Sequence, residues 1–223
     1  MRKVPGLIRI AKAHLDPDFG TYIMRSLERY IERPNSVLSG KGPLEPLHSL
    51  KRVPVFFGCV DTPPEDDIAA DMDWAIDPET GMVQLTRLIP PEILYRGQHF
   101  DGFGPTWELY YDNLSELIRS FSPRVVVEIG GGMGVLAQRV TTAEKDVVWH
   151  IIEPNPDFQP TDRIHVHRGF FGEDTPMPKG VDMVVFSQVM EHVYDPEKFV
   201  RMIAAVLRPG GKLVFGHPNL LWM

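Results

Sequence analysis

The chain has 223 residues, of which 43% are hydrophobic and 24% are charged, and its formal net charge is −7. This length suits one sizeable domain, or a domain with a small appendage, and the composition is that of an ordinary globular protein. An acidic chain without clustered Lys and Arg argues against a nucleic-acid partner. The single cysteine, Cys59, excludes an internal disulfide and suggests a cytoplasmic location. No apolar run approaches the roughly 20 residues that cross a bilayer, so no membrane association is expected.

Residues 1–104 differ from the rest of the chain in their high proline content. The prolines separate short apolar pieces, which predicts loops and brief strands rather than long helices. We therefore expect a small irregular N-terminal subdomain over 1–104 and a second domain over 105–223.

The second domain is predicted to open with a helix. Apolar and aromatic residues recur at three- and four-residue steps, which is typical of one buried helix face. This face consists of Trp107, Tyr110, Tyr111, Leu114, Leu117, Ile118 and Phe121.

The most informative stretch begins with the β-branched run 125–127. Glu128 and four glycines follow, then a helix-like stretch and a second apolar run, 147–152, which ends at Glu153. The order strand, glycine turn, helix, strand and acid predicts a nucleotide pocket at the carboxyl edge of a parallel sheet. Glu153 stands about 20 residues on, where such folds present a carboxylate to a ribose diol. The predicted fold class is α/β, with a Rossmann-like doubly wound parallel sheet.

The glycine spacing distinguishes between possible nucleotides. A dinucleotide fold uses GxGxxG, because its helix N-terminus cradles a pyrophosphate. This chain has ExGxGxG instead, and Glu128 would repel a diphosphate but suit a cationic amino-acid ligand. The candidate cofactor-binding residues of this stretch are Glu128, Gly130, Gly132, Gly134 and Glu153.

A second motif covers residues 181–219. Residues 181–186 have the composition of a buried parallel strand, and Asp195 followed by Pro196 predicts the start of a helix. Arg208 to Gly211 is expected to end that helix, and 212–216 to form another strand.

The two motifs together resemble those of class I S-adenosylmethionine-dependent methyltransferases. EIGGGMG at 128–134 is similar to their first motif, and SQVMEHVYDP at 187–196 and LRPGG at 207–211 are similar to the segments around strands four and five. The resemblance implies S-adenosylmethionine as the cofactor, with Glu128 linked to its amino group and Glu153 bound to its ribose hydroxyls. Phe170, against the adenine face, and Gln188 are further candidate contacts.

A narrower resemblance, to deoxysugar C-methyltransferases, rests on GMVQLT at 81–86, IPPEILY at 89–95 and GFF at 169–171. It implies a small zinc domain from about residue 50 onward, with a cysteine pair where Asp77 and Thr80 stand. Since neither is cysteine, we expect no zinc and a subdomain held together by packing alone. His165 and His167 share one strand face, but without a third ligand nearby a structural role is favoured over a metal site.

The same resemblance implies two more strands after the fifth and a base within that missing part. The core therefore looks incomplete after residue 216. Either the chain is a fragment of a longer protein, or a second copy or another partner covers the open edge of the sheet.

Three residues after the fourth and fifth strands are candidate catalytic bases, namely Glu191, His192 and His217. His99 and Phe100 align loosely with an acceptor-side tyrosine of the sugar enzymes. The leading hypothesis is methyl transfer to a small-molecule acceptor, a nucleotide-linked deoxysugar or a related carbohydrate intermediate. The alternatives are an O- or N-methyltransferase of another metabolite, and a catalytically idle cofactor-binding module in a sugar-modifying assembly.

Overall fold

The computed structural model describes residues 25–55, 66–96 and 104–218. The chain divides into two compact units, Met1–Arg96 and Gly97–Met223. The division falls after Arg96, whereas the sequence predicted a boundary after residue 104. None of the helices in the described ranges is both long and apolar enough to cross a membrane.

The first unit is built from short strands around one antiparallel pair. The elements are β1 Arg25–Ser26, β2 Ile31–Glu32, β3 Glu45–Pro54, β4 Ile68–Ile76, β5 Val83–Leu85, β6 Arg87–Leu88 and α1 Pro91–Leu94. Strands β3 and β4 pair with each other, β1 and β5 also pair with β4, and β2 pairs with β6. With 10 and 9 residues, β3 and β4 are longer than the brief strands expected. β3 tolerates its prolines because it lies at a sheet edge and its register is shifted in two places.

Two turns of matching geometry, Ser36–Gly40 and Asp77–Gly81, join distant parts of this unit; we call them the paired turns. In each turn the glycine N–H donates to the carbonyl of the first residue, at 3.0 and 2.8 Å respectively. Both glycines have a positive φ, 70° and 75°. The first side chain of each turn also accepts from backbone N–H groups of its own turn.

Asp77 connects the paired turns. Its Oδ2 accepts hydrogen bonds from Ser39 Oγ at 2.9 Å and from Thr80 Oγ1 at 2.7 Å. The hydroxyls of Ser36 and Thr80 hold the pKa of the Asp77 carboxyl well below its usual range. Asp77 and Ser36 are buried. The expectation that packing alone holds this unit together is therefore wrong, because the Asp77 carboxylate connects the paired turns through hydrogen bonds from three hydroxyl groups.

The second unit is a five-stranded sheet in which every pairing is parallel. Its elements are α2 Pro105–Ser120, β7 Val125–Ile129, α3 Val135–Ala143, β8 Val148–Glu153, β9 Ile164–Arg168, β10 Val181–Ser187, α4 Pro196–Val206 and β11 Leu207–Gly216. The strand order in the sheet is β11-β10-β7-β8-β9. This arrangement confirms the predicted α/β, Rossmann-like fold class.

Helices cover the two faces of the sheet. On one face, α2 and α3 pack Ile118 and Leu136 against Trp149, and all three side chains are fully buried. On the other face, α4 packs Phe199 and Ile203 against β10. As predicted, Asp195 caps α4 by accepting from the backbone N–H of Lys198 at 2.9 Å.

The apolar face of α2 is narrower than the sequence pattern indicated. Leu114 and Ile118 are buried, whereas Leu117 and Phe121 are each 47% exposed. β11 also differs from its prediction, because pairing with β10 begins at Leu207 rather than at Lys212. An irregularity in the pairing accommodates the stretch before Lys212, so the strand follows α4 without an intervening loop.

We predict that Asp77→Asn lowers the stability of the first unit. The amide NH2 group that replaces one carboxylate oxygen cannot accept a hydrogen bond from a hydroxyl group. The pKa of Asp77 is lowered by folding, so its stabilisation is present above the ordinary value of about 4 and is lost as the pH falls below it. Amide hydrogen exchange of Glu79 and Gly81, followed with pH, measures the effect.

Glu79→Gln is the matched control, since it removes a neighbouring carboxylate whose ion pair with Lys41 is exposed. Equal protection of the turn amides in the Asn variant and the native protein would contradict the role assigned to Asp77.

Candidate functional site

The candidate site lies where the order of the strands reverses. From β7 the chain runs outward through β8 and β9, whereas β10 and β11 lie on the other side of β7. In open parallel sheets, ligands bind outside the carboxyl ends of the strands at such a reversal. The glycine loop after β7 and the loop after β10 meet at this place.

The glycine loop, residues 130–134, connects β7 directly to α3. Gly130, Gly132 and Gly134 have φ of 77°, 46° and 67°, which favour glycine. Gly130 N still bonds to β8, through Ile152 O at 2.9 Å. The first residue of the loop, Gly130, therefore continues the pairing with β8, and its last residue, Gly134, directly precedes α3.

Crowding also requires glycine in this loop. A Cβ on Gly131 would lie 2.7 Å from Ile151 Cγ2 and 3.1 Å from the Glu128 carboxyl group. A Cβ on Gly134 would lie 2.8 Å from the ring of Phe158. The backbone at Gly131 thus lies in close contact with β8. The loop has no room for a side chain at Gly131 or at Gly134.

Glu128 lies beneath the glycine loop. Its Oε2 accepts from Trp149 Nε1 at 2.8 Å, and the side chain is only 6% exposed. A buried carboxylate needs such hydrogen bonds to offset its lost hydration. The acid and the indole lie on neighbouring strands, where the register partner of Glu128 is Ile151, two residues beyond Trp149. The carboxyl group is also 3.1 Å from the position of a Cβ on Gly131, so it lies directly under the loop.

Glu153 lies beside the loop at the carboxyl end of β8. Its Oε1 accepts from Asn155 N at 2.9 Å, and its Oε2 is 3.3 Å from Gly132 N. Glu153 is half-buried. The structure thus brings both predicted acids to the same loop, one below it and one at its side.

The loop after β10 forms the opposite side of the site. Gln188 has a φ of 55°, which is uncommon for a residue other than glycine, and its N–H donates to Gly216 O at 3.0 Å. A Cβ on Gly130 would lie 2.6 Å from Val189 Cγ2, so the two loops touch. Backbone strain of this kind is found at binding sites more often than elsewhere.

Two of the three candidate bases form a pair. His217 Nδ1 lies 3.4 Å from Glu191 Oε2, with the imidazole following β11 and the carboxylate following β10. The imidazole is 47% exposed and the carboxylate 27% exposed. His192 belongs to the same short 3-10 turn as Glu191, Met190–His192, and is exposed. His99 and Phe100 lie outside the described residues.

Phe170 lies in the loop after β9, and half of its surface is exposed. Its neighbour Phe171 packs edge-on against Phe199 in the core. An exposed aromatic ring at the carboxyl edge has a face on which a planar base can stack.

The sequence reasoning missed Tyr110 as a site residue and assigned it to the core. Its hydroxyl lies 2.7 Å from Ser187 Oγ, at the carboxyl end of β10. Gly216 makes room for this phenol, since a Cβ there would overlap the hydroxyl oxygen. Periodicity alone cannot reveal this, because a tyrosine with its ring in the core and its hydroxyl at the sheet edge occupies an ordinary core position.

The site residues divide into two chemical groups. The glycine loop presents backbone, Glu153 a carboxylate suited to hydroxyl groups, and Phe170 an apolar ring. Glu191, His217 and Tyr110 supply groups that accept or donate protons. The first set suits a nucleoside cofactor, and the second an acceptor molecule beside it.

Comparison with known proteins agrees with this arrangement. Residues 104–222 match the family model described as a methyltransferase domain. An uncharacterized methyltransferase of Bacillus velezensis is 31% identical over 113 residues, which are 47% of this chain and 52% of that protein. A probable S-adenosylmethionine-dependent methyltransferase of Mycolicibacterium smegmatis is 35% identical over 106 residues, 43% of this chain and 38% of that protein.

A third relative is a ubiquinone biosynthesis O-methyltransferase of a Bradyrhizobium species, 29% identical over 105 residues. The match covers 44% of this chain and 41% of that protein. The chain thus spans about half or less of the length of these curated relatives.

We predict that Gly131→Ala destabilises the second unit by about 1–3 kcal/mol, the usual cost of overpacking, because the new methyl group collides with Ile151 and Glu128. Thermal unfolding measures the change. Gly172→Ala is the matched control, since a Cβ there meets nothing within 4 Å. Equal melting temperatures for the two variants would contradict the close approach at Gly131.

Proposed function

This chain belongs to the methyltransferase domain family, whose model spans residues 104–222, and we propose that it transfers a methyl group to a small-molecule acceptor. S-adenosylmethionine is the cofactor of this domain. The observation that carries the proposal is the convergence of Glu128 and Glu153 on one glycine loop at the strand-order reversal.

The proposed reaction is an in-line displacement at the methyl carbon. A bond forms between the acceptor atom and this carbon while its bond to the sulfonium sulfur breaks, and the sulfur keeps the electron pair. The chief task of the protein is alignment of the acceptor with the methyl group. The backbone of the glycine loop and the carboxylate of Glu153 would hold the cofactor, and Phe170 would stack on its adenine.

An acceptor that starts as a hydroxyl, an amine or an activated C–H group must also lose a proton. We propose that the pair of Glu191 and His217 takes it. The carboxylate lies 3.4 Å from Nδ1 of the imidazole, which leaves Nε2 as the nitrogen to accept the proton. His192 is the alternative base in the same loop.

The acceptor proposed first is a nucleotide-linked deoxysugar or a related carbohydrate intermediate. Its support is the similarity of residues 81–86, 89–95 and 169–171 to deoxysugar C-methyltransferases. A second candidate is O-methylation of another metabolite, which the name of the Bradyrhizobium relative favours. The third is a module that binds the cofactor without turnover.

Cofactor binding is tested with S-adenosylhomocysteine by calorimetry. We expect Glu153→Gln to weaken binding about tenfold or more, since a charge-assisted hydrogen bond to ribose contributes roughly 1.5–3 kcal/mol. Glu144→Gln is the matched control, because Glu144 is the C-cap residue at the far end of α3 and its carboxylate pairs with Arg119. A folded protein that takes up no S-adenosylhomocysteine would refute the proposal.

The acceptor is tested by transfer of a labelled methyl group to a panel of nucleotide deoxysugars, catechols and amines. Turnover of the sugars supports the first candidate, and turnover of the catechols the second. Binding of the cofactor with no transfer to any compound would identify the idle module.

A further inference from the structure

The paired turns of the first unit have the spacing of the ligand pairs in structural metal sites. Each turn has polar side chains at its first and fourth positions and glycine at its fifth. The polar residues are Ser36 and Ser39 in one turn and Asp77 and Thr80 in the other. Structural zinc sites commonly have two such pairs, in each of which two residues separate the ligands.

The backbone hydrogen bonds of the two turns also correspond. In each turn the first N–H donates to the carbonyl one residue beyond the glycine, from Ser36 to Lys41 at 2.8 Å and from Asp77 to Met82 at 2.9 Å. The N–H of the third residue donates to the first side chain, at 3.2 Å in one turn and 2.9 Å in the other. Amides placed in this way would equally stabilise a thiolate ligand at the first position.

The four side chains converge on the Asp77 carboxylate. The hydroxyls of Ser39 and Thr80 donate to its Oδ2 at 2.9 and 2.7 Å, and Ser36 is its third hydroxyl partner. Asp77 and Ser36, the first residues of the two turns, are buried. Side chains from two distant turns thus meet at one point, as the ligands of a metal ion do.

The donor set does not fit the zinc ion that the resemblance to deoxysugar C-methyltransferases implies. Zinc sites of this spacing use thiolate and imidazole ligands, whereas these positions carry three hydroxyls and one carboxylate. Within the described ranges, no group of three or more His, Cys, Asp or Glu side chains could hold a metal ion. We infer that the paired turns are the frame of a four-ligand metal site in which the Asp77 carboxylate takes the place of the ion. This role does not depend on the proposed methyl transfer.

The frame is tested by giving it thiol ligands in the full chain. The variant combines Ser36→Cys, Ser39→Cys, Asp77→Cys and Thr80→Cys with Cys59→Ser, which removes the one native cysteine. We expect this variant to bind one cobalt or zinc ion per chain, with the intense visible absorption of cobalt held by four thiolates in tetrahedral geometry. The native chain should show no such absorption.

The matched control, called the shifted control, moves one thiol of each pair by one residue. It carries Leu38→Cys and Glu79→Cys in place of the substitutions at Ser39 and Thr80. Leu38 and Glu79 are exposed. With the same number of thiols, the shifted control should lack the absorption of tetrahedral cobalt.

Metal binding at such sites is coupled to folding, so both variants are also refolded with excess zinc and followed by amide hydrogen exchange. Zinc should protect the amides of Gly40 and Gly81 in the variant with four thiols in register, and in the shifted control it should protect neither. The inference is overturned if zinc leaves these amides unprotected in the first variant, or if the shifted control gives the same cobalt spectrum.

Discussion

The contact between the glycine loop and strand β8 is the constraint on which the second unit depends. At Gly131 the backbone rests against Ile151 and the Glu128 carboxyl group so closely that even one methyl group does not fit. Because the loop lies in close contact with the sheet, α3 starts directly beside it, and Leu136 and Val140 pack against Trp149. The residues under the glycine loop are thus part of the hydrophobic core.

The two acids at this loop have different environments and therefore different roles. Glu128 is buried and hydrogen-bonded to the indole of Trp149, so its side chain is held in place beneath Gly131. Glu153 is half-buried at the end of its strand and hydrogen-bonds to amides of the loops around it. A ligand hydroxyl could compete for its oxygens without breaking into the core.

The sequence predicted the parallel sheet and the cap of α4 because both depend on local patterns. β-branched runs such as 125–127 indicate buried strands, and Asp195 before a proline indicates a helix start. The pairs formed across strands are different. Tyr110 with Ser187, Glu191 with His217, and His150 with His167 depend on which strands become neighbours and in which register. No local sequence pattern determines the strand neighbours or their register. The sequence could therefore indicate some of these residues individually, but not the pairs that they form.

The paired turns of the first unit were missed for a related reason, although a signal existed. Ser36 and Ser39 before Gly40 repeat the spacing of Asp77 and Thr80 before Gly81. Since hydrogen bonds to the Asp77 carboxylate join the two turns, the strength of this connection depends on the pH. A proton on Asp77 weakens it, whereas oxidation does not, because neither turn contains a cysteine.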